Sequence, residues 1–303
     1  MTVLVTGGAG LIGMALRARL ARDGRAVVAT DMSRHGRDDP ELVVLPLQDG
    51  EALERLARER GVEAIIHCGA ISGPMHAPGR PLEVVDVNIR ASAVLMDIAR
   101  RLEMRRFVMC SSIGVYGNAG PGRIGEDLPL HPTSVYGASK VAGDALLDGF
   151  AAEYGLDGVG LRIARVYGPY RRGDCLLRQM VDDALAGRPS EIACDPEMPY
   201  HYVHADDVAD ALVAALAADR LPGRVYNVSG PAPARMPDIV ETFRTICPDA
   251  RVRLVAGTDP VADDQRAFDL SRIRDDLGWR PAIGLRDGLE ALLASVRSGR
   301  AAG

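Results

Sequence analysis

Tyr136 and Lys140 stand four positions apart in the run Tyr136-Gly137-Ala138-Ser139-Lys140. In a helix that spacing puts both side chains on one face, one turn apart. Lys140 is the one lysine among the 36 Lys and Arg residues of the chain. A guanidinium spreads its donors over a broad, permanently charged fork. An ammonium is a compact charge that fits between a phenol and a ligand hydroxyl and favours ionisation of a neighbouring tyrosine. The pair is suited to taking a proton from an alcohol.

A second pattern opens the chain. The apolar run Val3-Leu4-Val5 leads into Thr6-Gly7-Gly8-Ala9-Gly10-Leu11-Ile12-Gly13, and a helical pattern follows through Leu20. Strand, glycine turn and helix in that order form a dinucleotide cradle: the glycines let backbone approach a pyrophosphate, and the helix N-terminus offers it free N–H groups. The next strand, Ala26-Val27-Val28-Ala29-Thr30, ends at Asp31. A carboxylate there accepts both adenosine-ribose hydroxyls, which selects NAD, with Gly7, Gly10, Leu11, Ile12, Gly13 and Asp31 as cofactor-binding residues. Arg34, His35 and Arg37 lie close by and leave NADP as the alternative.

The elements that must carry these groups alternate. Strands are expected at 42–45, 64–68, 106–110 and 158–163, buried on both faces, with helices at 50–60, 82–102 and 136–154 between them. That alternation predicts an α/β, Rossmann-type doubly wound parallel sheet. After Gly168-Pro169 the pattern loosens into helices near 174–187, 205–219, 237–247 and 270–277, separated by Pro- and Gly-containing loops, which predicts a smaller, mostly helical substrate lobe. The expected division is a cofactor domain over 1–168, with 203–230 returning to it, and a substrate lobe from 169–202 and 231–303. The chain end from Ser298 on is expected to fray.

Composition excludes several classes. At 303 residues, with 47% apolar and 25% charged content, the chain can bury a large core. The first twenty residues carry the glycine turn and no basic leader, and no apolar run reaches membrane-spanning length. The net charge of −5 comes without a basic stripe, so nucleic acid is not the expected partner. Five scattered cysteines without metal-type spacing suit reduced thiols in a cytoplasmic protein. His201 and His204 with Asp206 and Asp207 look like a metal set, but a strand ending in an Asp helix cap explains them better, and no metal is expected.

The order of motifs resembles the extended short-chain dehydrogenase/reductases, the NAD-dependent epimerase/dehydratase family typified by UDP-glucose 4-epimerase. The resemblance rests on the glycine turn, Ser111-Ser112 before Val115-Tyr116-Gly117, Tyr136 with Lys140, Leu161-Arg162 leading to Val166-Tyr167-Gly168-Pro169, His204-Ala205-Asp206-Asp207-Val208 and Leu277-Gly278-Trp279-Arg280-Pro281. It implies Tyr136 as base, Ser112 as the hydroxyl that bonds the reacting oxygen, and Lys140 holding both the tyrosine and the nicotinamide ribose. It also implies a homodimer pairing the helix of Tyr136 and the helix around 88–101 with their copies.

Departures from the family pattern bear on the substrate. Dehydratases carry an Asp-Glu pair where this chain has Ile113 and Gly114, so water elimination lacks its acid and base. Arg165 stands where many nucleotide-sugar enzymes have Asn, and Tyr200 where they have Arg. An arginine expected near Gly257-Thr258-Asp259 is missing, although Arg266 could move in. No Asp stands near Pro46, which leaves adenine to backbone groups near Leu47. The loop His67-Cys68-Gly69-Ala70-Ile71-Ser72 is similar to that of uronate dehydrogenases, in which a serine reaches the sugar acid. There Ser72, Arg165 and Tyr200 would meet substrate, with Arg165, Arg171, Arg172 and Arg178 as candidate partners of a carboxylate. The reading is an NAD-dependent sugar epimerase working through a transient keto intermediate on a sugar or nucleotide sugar. The alternative is an NAD-dependent dehydrogenase of a free sugar or sugar acid.

Overall fold

The computed structural model describes residues 1–173, 175–259 and 262–299. β1 (Thr2–Thr6) runs into the glycine turn and out as α1 (Leu11–Arg22). β2 (Ala26–Asp31), β3 (Leu42–Val44), α2 (Gly50–Glu59) and β4 (Val62–His67) follow. The helix expected over 82–102 is one run in three pieces: α3 (Pro81–Val85), a π-turn (Asp86–Arg90) and α4 (Ala91–Arg101). A π-turn widens a helix by one residue and is common at functional sites; here it contains the buried Asn88. β5 (Arg106–Ser112), buried along its whole length, precedes α5 (Val135–Tyr154), which Ser134 caps by accepting from Gly137 N at 3.0 Å. β6 (Gly158–Ile163) and β7 (Arg165–Tyr167) complete this half.

The second half holds α6 (Leu176–Leu185), β8 (Ser190–Cys194), β9 (Pro199–Tyr200), β10 (Tyr202–His204), α7 (Ala205–Ala217) and β11 (Val225–Val228). β12 (Ala234–Arg235), α8 (Met236–Ile246), β13 (Val252–Ala256), α9 (Ser271–Leu277) and α10 (Leu285–Arg297) end it. Among the described residues seven strands form one parallel sheet in the order β11-β6-β5-β4-β1-β2-β3. The order reverses between β1 and β4, and the crevice beyond their carboxyl ends is where such a sheet binds ligands. α10 and the β8–β13 pair lie outside the sequence expectations. β8 alternates buried and exposed residues in a two-stranded sheet, so it lacks the continuous apolar run of the central strands. Residues beyond Gly299 lie outside the described range.

Among the described residues one face of the sheet packs against α2, α4 and α5 through Leu53, Leu95 and Leu147, and two further large apolar cores stand beside that one. One packs the sheet against α1 and α7 and includes Leu16, Val108, Leu161 and Leu212. The other joins α6, α8 and α10 through Leu177, Phe243 and Leu292. Segment 203–230 belongs to the α1–α7 core, since β11 pairs with β6 and α7 packs on α1. A buried polar network ties β11 in place. Arg162 Nε donates to Asp144 Oδ2 (2.9 Å) and its Nη1 to Tyr116 Oη (2.9 Å), and Tyr116 Oη donates to Asn227 Oδ1 (2.7 Å). Asn227 N donates to Glu126 Oε1 (2.9 Å). The Leu277–Pro281 string docks on α7: Trp279 Nε1 donates to Asp207 O, and the Asp207 carboxylate accepts from Ala282 N and Ile283 N, each at 3.0 Å.

Candidate active site

Ser112 ends β5, and Tyr136 and Lys140 lie in the first turns of α5, one turn apart as the spacing requires. Ser112 Oγ accepts from Gly114 N at 3.1 Å, which occupies a lone pair and leaves its O–H to donate elsewhere. Lys140 is only 7% exposed, and its Nζ donates to Cys110 O at 2.8 Å and lies 5.8 Å from the Tyr136 ring centre. An ammonium has three protons, so two remain for the phenol and a ligand hydroxyl. A cavity of about 180 Å³ lies against Tyr136, lined by Ala77, Gly79, Val84 and Val135.

The cofactor crevice fits a dinucleotide. Gly7 has φ +67°, and a Cβ there would sit 2.6 Å from Gly69 N, so the turns after β1 and β4 touch backbone to backbone. A Cβ on Gly13 would lie 2.1 Å from Gly7 O. Both positions require glycine to keep the cradle flat. Gly10 caps α1 without a side-chain acceptor, so the first-turn N–H groups at Leu11 and Ile12 suit a diphosphate. Asp31 accepts from Ala9 N (3.0 Å) and Met32 N (2.7 Å), which fixes its carboxylate beside the turn. Leu47 packs against Gly69 at the rim.

A buried relay joins this turn to α5. Ser92 Oγ donates to Asn88 O (2.7 Å) and so accepts from His67 Nε2 (2.9 Å); His67 Nδ1 then accepts from Thr6 Oγ1 (2.7 Å), which accepts from Gly69 N (3.3 Å). That order assigns the Nε2–H tautomer. Burial, and secondarily the Lys140 charge, pushes the His67 pKa down to about 3. Asn88 grips Ile71 N (2.8 Å) and Ile71 O (3.1 Å) and donates to Ser139 Oγ (3.0 Å), which donates to Tyr136 O (2.7 Å). A second brace comes from the far end of the chain. Gln265, 4% exposed, donates to Ile113 O (2.9 Å) and Gly117 O (3.1 Å), pinning the turn that follows Ser112, and its own carbonyl lies 3.1 Å from His201 Nε2. No sequence motif pointed to Asn88 or Gln265. Their role follows from contacts across 51 to 152 positions.

On the substrate side Arg165 already has a partner within the protein. Arg165 Nη1 lies 2.9 Å from Asp259 Oδ2, and its guanidinium stands 5.4 Å from the Tyr200 ring centre. A guanidinium already held by a protein carboxylate is a poorer anchor for a substrate carboxylate than one facing an open site. Burial, then the nearby Asp259 charge, pushes the Tyr200 pKa up to about 12. Arg178 is likewise engaged with Asp182 at 2.9 Å. Ser72 is exposed in the loop before Gly73. The structure corrects one expectation, at α7: its cap is His204, whose Nδ1 accepts from Asp206 N at 3.2 Å, where an Asp cap was expected. Burial lowers the His204 pKa and keeps the ring a neutral acceptor. Among the described residues no cluster of His, Cys, Asp or Glu could hold a metal, and the five cysteines are free thiols.

A seven-stranded parallel sheet with a dinucleotide cradle at its switch point and a Ser, Tyr and Lys cluster beside it defines a nucleotide-cofactor oxidoreductase fold. Residues 3–229 match the model of the NAD dependent epimerase/dehydratase family, and the chain belongs to that family. It is 33% identical to the UDP-glucose 4-epimerase of Mycolicibacterium smegmatis, over 98% of this chain and 99% of the relative. It is 29% identical to a dTDP-glucose 4,6-dehydratase of Xanthomonas campestris pv. campestris, over 95% and 91%. The solved UDP-glucose 4-epimerase of Thermus thermophilus in complex with NAD superposes with a TM-score of 0.88 at 28% identity, covering 98% and 99% of the two chains. The protein is an NAD-dependent enzyme of the extended short-chain type. No described helix is long and apolar enough to cross a membrane.

Proposed function

We propose that the protein is an epimerase that oxidises a sugar hydroxyl, lets the ketone turn, and reduces it from the other face. NAD, when bound, accepts the hydride and returns it. Tyr136 takes the hydroxyl proton and gives it back, Ser112 donates a hydrogen bond to the reacting oxygen, and Lys140 holds the phenol in place. The observation that carries the choice of reaction lies next to Ser112. The partly buried Ile113 packs on both neighbouring apolar clusters and Gly114 supplies only its N–H to Ser112, so no side chain follows the serine that could act as acid and base for loss of water. Relatives of both kinds, epimerase and dehydratase, are similar to this chain, and the lack of an acid and base side chain after Ser112 supports the epimerase reading.

The cofactor is held by 1–168 with 203–230, through Gly7, Gly10, Leu11, Ile12, Gly13, Asp31, Leu47, Tyr136 and Lys140. The substrate is held by 169–202 and 231–303, with Ser72, Arg165 and Tyr200 at its edge. The pairing of Arg165 with Asp259 supports a neutral sugar, free or carried on a nucleotide as in the named relatives, over a sugar acid. We place the enzyme in the cytoplasm as a homodimer, joined through α3–α4 and α5; Leu82, Val85 and Val135 are exposed there. The test gives purified protein free NAD and a panel of sugars, sugar acids and nucleotide sugars. Conversion between C4 epimers without growth of the NADH absorbance supports the reading. Stoichiometric NADH accumulation assigns a dehydrogenase and overturns it.

A further inference from the structure

Two loops, remote in sequence, meet near the glycine turn. One follows β2 and contains residues 32–39; the other follows β7, the continuation of β6, and contains residues 168–173. In the sheet, β5, β4 and β1 lie between β6 and β2, and α1 packs on β7. β7 pairs with β10 outside that sheet, so a contact between the two loops joins the loop after β2 to the loop beside α1, the helix that the glycine turn opens. That contact exists: Arg172 Nη1 donates to the carbonyl oxygen of His35.

The surroundings form a built strap. His35 has φ +49°, a left-handed conformation uncommon for a residue other than glycine. Two positions on, Arg37 is 8% exposed, and its Nη1 donates to Ala9 O inside the glycine turn. Asp31 takes Ala9 N, so both polar groups of the Ala9 residue are held from the β2 end. Each side has its own footing. Arg17 on α1 grips Asp39 through both terminal nitrogens, and Arg178 on α6 donates to Arg171 O while pairing with Asp182. Burial, then the Arg172 charge, lowers the Arg37 pKa.

We propose that Arg172 and Arg37 are cofactor-retaining residues: the Arg172–His35 contact closes a strap over the diphosphate of a bound dinucleotide, with Arg37 underneath as its support on the glycine turn. The cofactor then leaves only when the loops part. Retention of this kind serves a cycle that removes a hydride and restores it with the same cofactor molecule. The inference rests on the NAD fold and not on the epimerase reading, and its test separates the two.

The protein is loaded with NADH, and release is followed by loss of nicotinamide fluorescence after mixing with excess ADP-ribose. Arg172→Ala is expected to release NADH at least about tenfold faster than wild type, with an association rate within about threefold and an unchanged unfolding midpoint. Release within about twofold of wild type overturns the proposal. If the wild type itself releases quickly, the epimerase reading suffers, but the ratio between the two proteins still decides the strap. A second measurement needs no variant. Hydrogen exchange should show NAD slowing backbone amides in 34–37 and 171–173 together; protection confined to 34–37 would mean that the second loop takes no part and would overturn the strap.

Discussion

His67 gives the fold a measurable acid sensitivity. Its ring is buried between Thr6 and Ser92, with both nitrogens used by a neutral tautomer, and its pKa is pushed down to about 3 from an ordinary 6.5. The folded value lies below the unfolded one, so the unfolded chain binds the extra proton. The stabilisation is complete above about pH 6.5 and is lost as pH falls toward 3. At pH 5 the unfolded imidazole is about 1.5 pKa units into protonation while the folded one stays neutral, which amounts to about 2 kcal/mol lost between pH 7 and 5. His67→Gln removes the titration and keeps an amide for Ser92. It should be less stable at pH 7, because Thr6 loses its acceptor, yet its stability should fall about 2 kcal/mol less over the same pH step. His201 and His204, whose pKa values burial also lowers, contribute equally to both proteins and cancel in the comparison. Urea unfolding, read by the single tryptophan, buried Trp279, measures both. Stabilities that depend on pH alike in the two proteins, within about 0.5 kcal/mol, would refute the reasoning.

Tyr136→Phe keeps the ring and removes the proton acceptor, so turnover should drop by about two to four orders of magnitude while NAD binding by calorimetry persists. Near-normal activity would sink the base assignment. Lys140→Arg should be nearly inactive too, because the buried site that bonds Cys110 O has room for a compact ammonium. Asp31→Ala should weaken NAD and narrow its advantage over NADP in the same titration; tighter binding of NADP than NAD by wild type would contradict the ribose contact. Light scattering at micromolar concentration should return twice the chain mass, and Leu82→Glu, at a residue 80% exposed, should shift it toward the monomer.

The catalytic cluster was legible because its chemistry fixes short spacings: Tyr136 and Lys140 must share a helix face, and Gly7 to Gly13 must form a turn. The central strands β1, β4, β5 and β6 were legible as apolar runs because most of their residues are buried; the edge strand β3, expected to be buried on both faces, exposes Val44, and β11 was not read as a strand. What escaped was long-range. Asn88 meets Ile71 and Ser139 only because a π-turn sits in its helix, and Gln265 reaches the turn after Ser112 across 152 positions. Arg165 was visible as a departure from the family pattern, but the carboxylate that engages it, Asp259, belongs to a distant loop with no spacing to announce it. His204 as a helix cap was missed because Asp206 and Asp207 follow it and aspartates cap helices more often.

The network that receives Asn227 has a bearing on biosynthesis. When β6 emerges from a ribosome, its outer edge has no partner, and the chain makes residues 164–224 before β11 arrives to pair with it. Until then Tyr116 and Glu126 lack the partners that Asn227 brings. An early strand laid against β6 in the wrong register would leave those groups unsatisfied. The side chain of Asn227 gives Tyr116 its acceptor and the backbone N–H of Asn227 gives Glu126 its donor, so a strand paired one register away would leave the Tyr116 hydroxyl without that acceptor.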